Sequence, residues 1–213
     1  LMTEHGIVEK EDFTEVESLD FSNARIVFQG VEGAYSQLAM KTYFGENCNG
    51  YNVDTWKDAM EDIKCGKADY AVLPIENSSA GIVSENYDLL VEYDNYIVGE
   101  QIIRIDHSLM GLPGAKLSDI RTVYSHPQAL MQCSDFFDEH KDINQVAVRN
   151  TAFSAKKVKD DGDITQAGIA SHISADIYGL QVLESRIQNN KNNATRFIIV
   201  SAKRVCHLDS LKS

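Results

Sequence analysis

The stretch Asn192-Asn193-Ala194-Thr195-Arg196-Phe197-Ile198-Ile199-Val200 is a polar, Asn-rich loop that runs into an apolar strand. A hydroxyl and a guanidinium stand side by side at the junction. The strand would fix the backbone there while the loop end leaves polar groups free to face a ligand. Taken alone, the same stretch is equally a strand start with a surface arginine. Its meaning depends on the segments upstream, which repeat the plan of strand, polar turn and helix.

Ile26-Val27-Phe28 is a short apolar strand broken by Gln29-Gly30 and Gly33, and Ser36 then heads a helix to Phe44. Such a junction aims helix-terminal N–H groups at an anion. Gly30 and Gly33 fall short of a full G-x-G-x-x-G, so no dinucleotide site is expected. Ala71 to Ile75 is a buried strand that ends in Glu76-Asn77-Ser78-Ser79-Ala80-Gly81, a carboxylate, an amide and hydroxyls. A capped helix start explains that cluster as simply as a site does. After the strand Arg121 to Tyr124, Ser125-His126-Pro127 opens a helix to about Phe137, with Pro127 in the first turn. Ser125, Gln128 and Gln132 follow at i, i+3 and i+7 as a polar stripe, which a solvated face also explains. The pattern recurs at Gln145 to Val148 followed by Asn150-Thr151, and at Gln166 to Ala170 followed by Ser171-His172. Trp56, Ala59, Met60 and Ile63, capped by Asp54-Thr55, make a core stripe. The strand-like run from Tyr96 to Ile105 is long enough to pass from one lobe to another.

Successive junctions of this kind imply an α/β fold with parallel strands, whose polar ends gather at one cleft. That cleft would carry Ser36, Asn77, Ser78, Ser125, Asn150 and Thr151, with Arg196 if the last strand ends there. Neutral donors, helix N-termini and one guanidinium suit a small carboxylated ligand held without a cofactor. The pattern contains no Ser-His-Asp arrangement, no activated Cys-His pair and no metal cage.

Composition narrows the field. The 213 residues, 43% apolar and 24% charged, suit one globular domain or two small lobes. A net charge of −12 argues against nucleic acid as a partner. No apolar run approaches the ~20 residues of a membrane span, and no basic-then-apolar leader is present, so a cytoplasmic location is expected. Cys48, Cys65, Cys133 and Cys206 lie far apart and read as reduced thiols. The six histidines lack ligand spacing, so no metal is expected. Residues 1–24 are acidic and aperiodic, a linker or the tail of a preceding domain. The first residue is Leu, consistent with a piece of a longer polypeptide.

Four segments, in order, resemble the catalytic domain of prephenate dehydratase: G-V-E-G-A-Y-S (Gly30–Ser36), L-P-I-E-N-S-S-A-G-I-V (Leu73–Val83), S-H-P-Q-A-L-M-Q-C (Ser125–Cys133), and Y-G-L-Q-V-L through N-A-T-R-F-I-I-V (Tyr178–Val200). The resemblance covers about residues 25–201. Val31, Ala34 and Tyr35 depart from the Pro, Thr and Phe more usual in the family. The resemblance implies two α/β lobes arranged like a type 2 periplasmic binding protein, with the active site in the interlobe cleft. Lobe 1 would span about residues 25–100 plus part of the C-terminal segment, and lobe 2 about 101–190. The leader resembles the linker from a chorismate mutase domain in fused bifunctional enzymes, and residues 202–213 a truncated linker towards an absent ACT domain. A homodimer is one compatible assembly.

The implied reaction converts prephenate to phenylpyruvate, water and carbon dioxide in phenylalanine biosynthesis, without a cofactor. By motif, the functional positions fall on Asn77, Ser125, Gln132 and Thr195. Gln128 is less firmly placed. Thr195 is expected to be a positioned donor to the departing oxygen, since a threonine hydroxyl is too weak an acid for general acid catalysis. Arg196 is expected to bind the pyruvyl carboxylate, and Glu76 is by position a candidate proton relay, with a structural role at the strand end as the equal alternative. Two alternatives stand beside this reading: the same chemistry on arogenate, and a two-lobed small-molecule binding module without catalysis.

Overall fold

In the computed structural model, which describes residues 21–203 and the backbone of 14–16 and 205–207, alternating apolar residues along short strands build two mixed sheets. Strand β1 (Thr14–Val16) precedes β2 (Arg25–Gln29). In β2, Ile26 and Phe28 pack in one apolar cluster and Val27 in another, as a period of two requires. Helix α1 (Tyr35–Phe44), strand β3 (Asn49–Val53) and helix α2 (Trp56–Lys64) follow. Thr55 and Asp58 form a reciprocal capping box at the start of α2, satisfying two otherwise orphaned N–H groups. Its buried face carries Ala59, Met60 and Ile63. Then come β4 (Tyr70–Asn77), β5 (Gly81–Ile82), α3 (Ser84–Tyr93) and β6 (Tyr96–Arg104).

The second lobe holds β7 (His107–Gly111), β8 (Thr122–Ser125), α4 (Pro127–Gln132), α5 (Ser134–Glu139) and β9 (Asn144–Ala147). It continues with α6 (Thr151–Asp161), β10 (Gln166–Ser171), α7 (His172–Tyr178) and β11 (Gln181–Glu184). Gly179 ends α7 at φ +64, a left-handed backbone that glycine adopts without a Cβ clash. The chain then returns to the first lobe as β12 (Ala194–Ser201), and β13 (Val205–His207) pairs in parallel with β1.

The first sheet has the order β3-β2-β4-β12-β6, with β5 paired to β4, and the second β11-β7-β10-β8-β9. The chain crosses between them at Ile105-Asp106 and again through residues 185–193. Strand β6 stays in the first sheet through Arg104, a little beyond the boundary near residue 101 expected from sequence. Separate apolar clusters flank the first sheet, one with α2 and α3 and one with α1. Two further clusters form the core of the second lobe.

The sheets are not purely parallel, contrary to expectation. Strands β2, β3 and β4 are mutually parallel, as are β8, β9 and β10, but β12 is antiparallel to β4 and β6, and β7 to β10 and β11. Both exceptions enter from the crossing segments. A strand arriving at the cleft must run away from it, against neighbours that run towards it. The single helix expected from Pro127 to Phe137 breaks at Cys133 into α4 and α5. Most of the leader 1–24 and of residues 202–213, expected as linkers, lies outside the described residues. Among the described residues no helix is long and apolar enough to cross a membrane.

Candidate active site

The antiparallel approach of β12 to β4 sets Thr195 directly opposite Asn77. The start of one strand thereby meets the end of the other at the cleft. Asn77 Nδ2 donates to Thr195 Oγ1 at 2.8 Å and to the Ala194 carbonyl at 3.2 Å. Asn77 Oδ1 accepts from the backbone N–H groups of Ser79 and Ala80, each at 2.9 Å. With both ends of the amide engaged, its orientation is fixed. The Thr195 oxygen is therefore an acceptor towards Asn77, and its own proton is left for the cavity. Thr195 is only 8% exposed.

Around this pair lies a cavity of about 380 Å³ between the lobes. From the first lobe it takes the turn at Gln29-Gly30, the start of α1 at Tyr35-Ser36, and Phe197. Ser36 Oγ donates to the Gln29 carbonyl at 2.7 Å and tightens that turn. No side chain caps the start of α1, so its first N–H groups are available to an anion. From the second lobe the cavity takes His126, Gln128 and Gln132 on α4, and Asn150 and Thr151 at the start of α6. Asn150 caps α6 by accepting from Phe153 N at 2.7 Å.

Three of the aromatic and imidazole groups in the lining, His126, His107 and Tyr35, make side-chain hydrogen bonds. His126 Nδ1 accepts from Gln128 N at 3.2 Å, which puts the ring proton on Nε2. Burial lowers its pKa and holds it neutral. His107 Nε2 lies 2.9 Å from Gln132 Oε1, which also receives Asn193 Nδ2 at 3.4 Å. The Gln132 oxygen faces His107 and Asn193 and its NH2 group faces the cavity, an arrangement that goes with the His107 proton on Nε2. His107 Nδ1 stands 3.1 Å from the Tyr35 hydroxyl, which also reaches the Asp106 carbonyl at 2.9 Å. Burial lowers the His107 pKa, partly offset by the Gln132 hydrogen bond and the Asp106 charge. Burial, with Asp106 nearby, raises that of Tyr35 well above its ordinary value.

The lobes also touch beside the cavity. The Gly33 carbonyl accepts from Ser171 Oγ at 2.9 Å and Ser174 Oγ at 3.1 Å, and Tyr178 donates to the Glu32 carbonyl at 2.8 Å. Gly33 has φ +88, and a Cβ there would come 2.5 Å from Ser174 Oγ.

Of the residues expected from sequence, Thr195, Asn77, Gln132, Ser36, Asn150 and Thr151 line the cavity together. Ser125, Ser78, Glu76 and Arg196 do not. Ser125 is completely buried and donates to the Ile169 carbonyl at 2.7 Å. It is the last residue of β8, so the helical spacing that joined it to Gln128 and Gln132 does not hold. Ser78 is exposed and secures the loop into β12, accepting from Ala194 N at 3.0 Å. Arg196 points away from Thr195 because adjacent strand residues face opposite sides. It is half-exposed and pairs with Glu100 at 2.8 Å. Glu76 is exposed and sits opposite Arg196 in the ladder. Neither Arg196 as anchor nor Glu76 as relay is placed to meet a ligand in this cavity.

Tyr35, His107 and His126 were not picked out by sequence reasoning as site residues. His126 lay within the S-H-P-Q segment and Tyr35 within the first glycine turn, but His107 followed a strand and carried no signal. Among the described residues the lining includes no Asp, Glu, Lys or Arg. Its electrostatics are those of neutral donors and helix N-termini. Cys133, buried on the same segment as α4, has its thiol pushed up to about 12 by burial, unsuited to nucleophilic attack at neutral pH.

Residues 26–205 match the family model for prephenate dehydratase. The chain is 41% identical over 182 residues to arogenate dehydratase/prephenate dehydratase 1 of Arabidopsis thaliana, covering 85% of this chain and 46% of that protein. It is 37% identical over 186 residues to the bifunctional chorismate mutase/prephenate dehydratase of Escherichia coli K12, covering 86% and 48%. Among solved structures it resembles a prephenate dehydratase from Arthrobacter aurescens in complex with L-Phe, with a TM-score of 0.77 and 31% identity over 83% of this chain and 60% of that one. The chain thus spans about half the length of the curated relatives it matches.

Proposed function

The chain belongs to the prephenate dehydratase family, and we propose that its cleft carries out the decarboxylating dehydration of prephenate to phenylpyruvate, a step of phenylalanine biosynthesis. Prephenate carries a ring carboxylate, a pyruvyl carboxylate and a ring hydroxyl. Loss of carbon dioxide and hydroxide makes the ring aromatic, so the driving force lies in the substrate. The protein must hold it and ease the departure of the hydroxyl.

The observation that carries this reading is the Asn77–Thr195 pair. Asn77 fixes the threonine rotamer and occupies its oxygen from one side, so the O–H is a preorganised donor for the leaving oxygen. The pyruvyl side meets the free N–H groups of α1, the Gln132 amide and His126 in place of Arg196. The ring carboxylate should not be held tightly, because ground-state binding there would oppose its loss. Phe197 and the aliphatic wall beside it favour the ring as it becomes apolar.

In the whole polypeptide we place a chorismate mutase segment beside this one, a reading supported by the acidic leader and the likeness to the bifunctional E. coli protein, and an ACT domain on the family resemblance alone. The deciding experiment is to incubate the chain with prephenate and follow phenylpyruvate and carbon dioxide. Equal amounts of both are expected. Bound but unchanged prephenate would instead make the cleft a binding module.

A further inference from the structure

We infer that Asn86, on α3 and outside the cavity lining, is a positioning residue for the dehydration: it fastens a one-residue bulge in β4, and the bulge presents Asn77 instead of Glu76 to Thr195. The inference rests on the dehydratase reading above. Strand β12 passes β4 with Phe197 opposite Pro74, yet Arg196 is opposite Glu76 and Thr195 opposite Asn77. Ile75 is therefore the extra residue of a bulge. With an unbroken register from Pro74, Glu76 would stand opposite Thr195 and Asn77 opposite Ala194. An ionised carboxylate in that place could only accept from the threonine, taking up the proton meant for the departing oxygen, and it would repel an anionic substrate.

The bulge shifts the alternation of side chains by one. Pro74 and Asn77 consequently both line the cavity, together with Phe197 and Thr195. Ile75 stays with Leu73 and Ile198 in the apolar cluster on the other face of the sheet. A bulge leaves part of the ladder unpaired, and its carbonyls need other donors. The segment that follows β5 supplies them. Val83 N donates to the Ile75 carbonyl at 2.9 Å, and Asn86 Nδ2 donates to the Pro74 carbonyl at 2.7 Å. Consecutive carbonyls of a regular strand point to opposite edges, whereas both of these are held from one short segment. Asn86 is completely buried, and among the described residues its Oδ1 meets no donor. An amide with one end unpaired is a poor core filler. What Asn86 adds is an N–H at the bulge, and through it the direction in which Asn77 points.

Asn86→Leu keeps the size of the side chain and removes the donor. Asn86→Ser, too short to reach the Pro74 carbonyl, is the second variant. Both are made in the full chain, and circular dichroism checks that they fold. On prephenate, kcat should fall about tenfold or more, because small misplacements of a reacting group are costly, while KM stays within about threefold. The Asn77 side-chain amide protons, held by Thr195 Oγ1 and the Ala194 carbonyl, should exchange with solvent at least about fivefold faster by NMR. In a Thr195→Val background, where the donated proton is already gone, Asn86→Leu should cost little further. A residue that merely supports the fold would lower kcat by the same factor in both backgrounds. That result, an unchanged kcat in the folded variants, or failure of both variants to fold would overturn the inference. If wild type leaves prephenate unchanged, the dehydratase reading falls and the Asn77 amide decides. Faster exchange in Asn86→Leu then upholds the positioning role, and exchange unmoved refutes it.

Discussion

Replacing Thr195 with Val removes one hydroxyl while keeping a β-branched side chain suited to the strand. Thr195 is 8% exposed and receives one hydrogen bond, from Asn77 Nδ2 at 2.8 Å. The fold should therefore lose about 1 kcal/mol, the net worth of one such bond, and Asn77 keeps the Ala194 carbonyl as a partner at 3.2 Å. The effect on rate should be larger. A preorganised donor at a departing oxygen contributes about 2.7–4 kcal/mol to the transition state, so kcat should fall about 10²–10³-fold. Because that bond strengthens only as the hydroxyl leaves, KM should change by less than about threefold. Urea denaturation reads the first effect and steady-state kinetics on prephenate the second. Thr195→Ser, which retains the donor, should keep kcat within about tenfold of wild type. A Val variant with nearly full kcat would refute the donor role. Equal losses in Val and Ser would show that the fit of the whole side chain, not the donated proton, carries the effect, and would refute it as well.

Arg196→Ala should cost between zero and about 1 kcal/mol and leave kcat and KM within about twofold, because its half-exposed pair with Glu100 faces away from the cavity. A tenfold rise in KM would return the guanidinium to the site. Gly33→Ala should destabilise the chain by about 2 kcal/mol or more in urea, since φ +88 and a contact 2.5 Å from Ser174 Oγ both oppose a Cβ; an unchanged midpoint would show that the lobes are not held there. For His107, burial places the folded pKa below the ordinary value near 6.5. The unfolded chain therefore binds the proton first as pH falls. Its contribution to stability is complete above about pH 6.5 and is lost progressively below it, towards the lower folded value. Urea midpoints at pH 7.5 and 5 should fall further for wild type than for His107→Gln, which keeps a donor for Gln132; identical pH responses would contradict a buried neutral imidazole.

Much of the site was legible because its parts are local. A strand end followed by Asn77 and a loop feeding a strand at Thr195 are read from neighbouring residues. The helix starts at Ser36 and at Asn150-Thr151 are also local, and all line the cavity. The errors arose where a residue's direction mattered. Thr195 and Arg196 are adjacent in sequence, and adjacency looks like cooperation, yet strand pleating sends them to opposite faces. Ser125 seemed to continue a helical stripe, but the strand extends through it and turns it into the interior.

By itself the sequence determined the α/β class, most of the strand and helix segments, and the family, because period, caps and motif spacing are short-range properties. Tertiary structure alone decided what Thr195 meets. Its partner Asn77 is 118 residues away, and only the antiparallel entry of β12 from the second lobe brings them face to face. The same holds for His107, Tyr35 and Gln132, which come from β7, α1 and α4. Which end of an amide or imidazole faces the ligand is set by what its other end has already bonded, and those partners are assembled by the crossing of the chain between lobes.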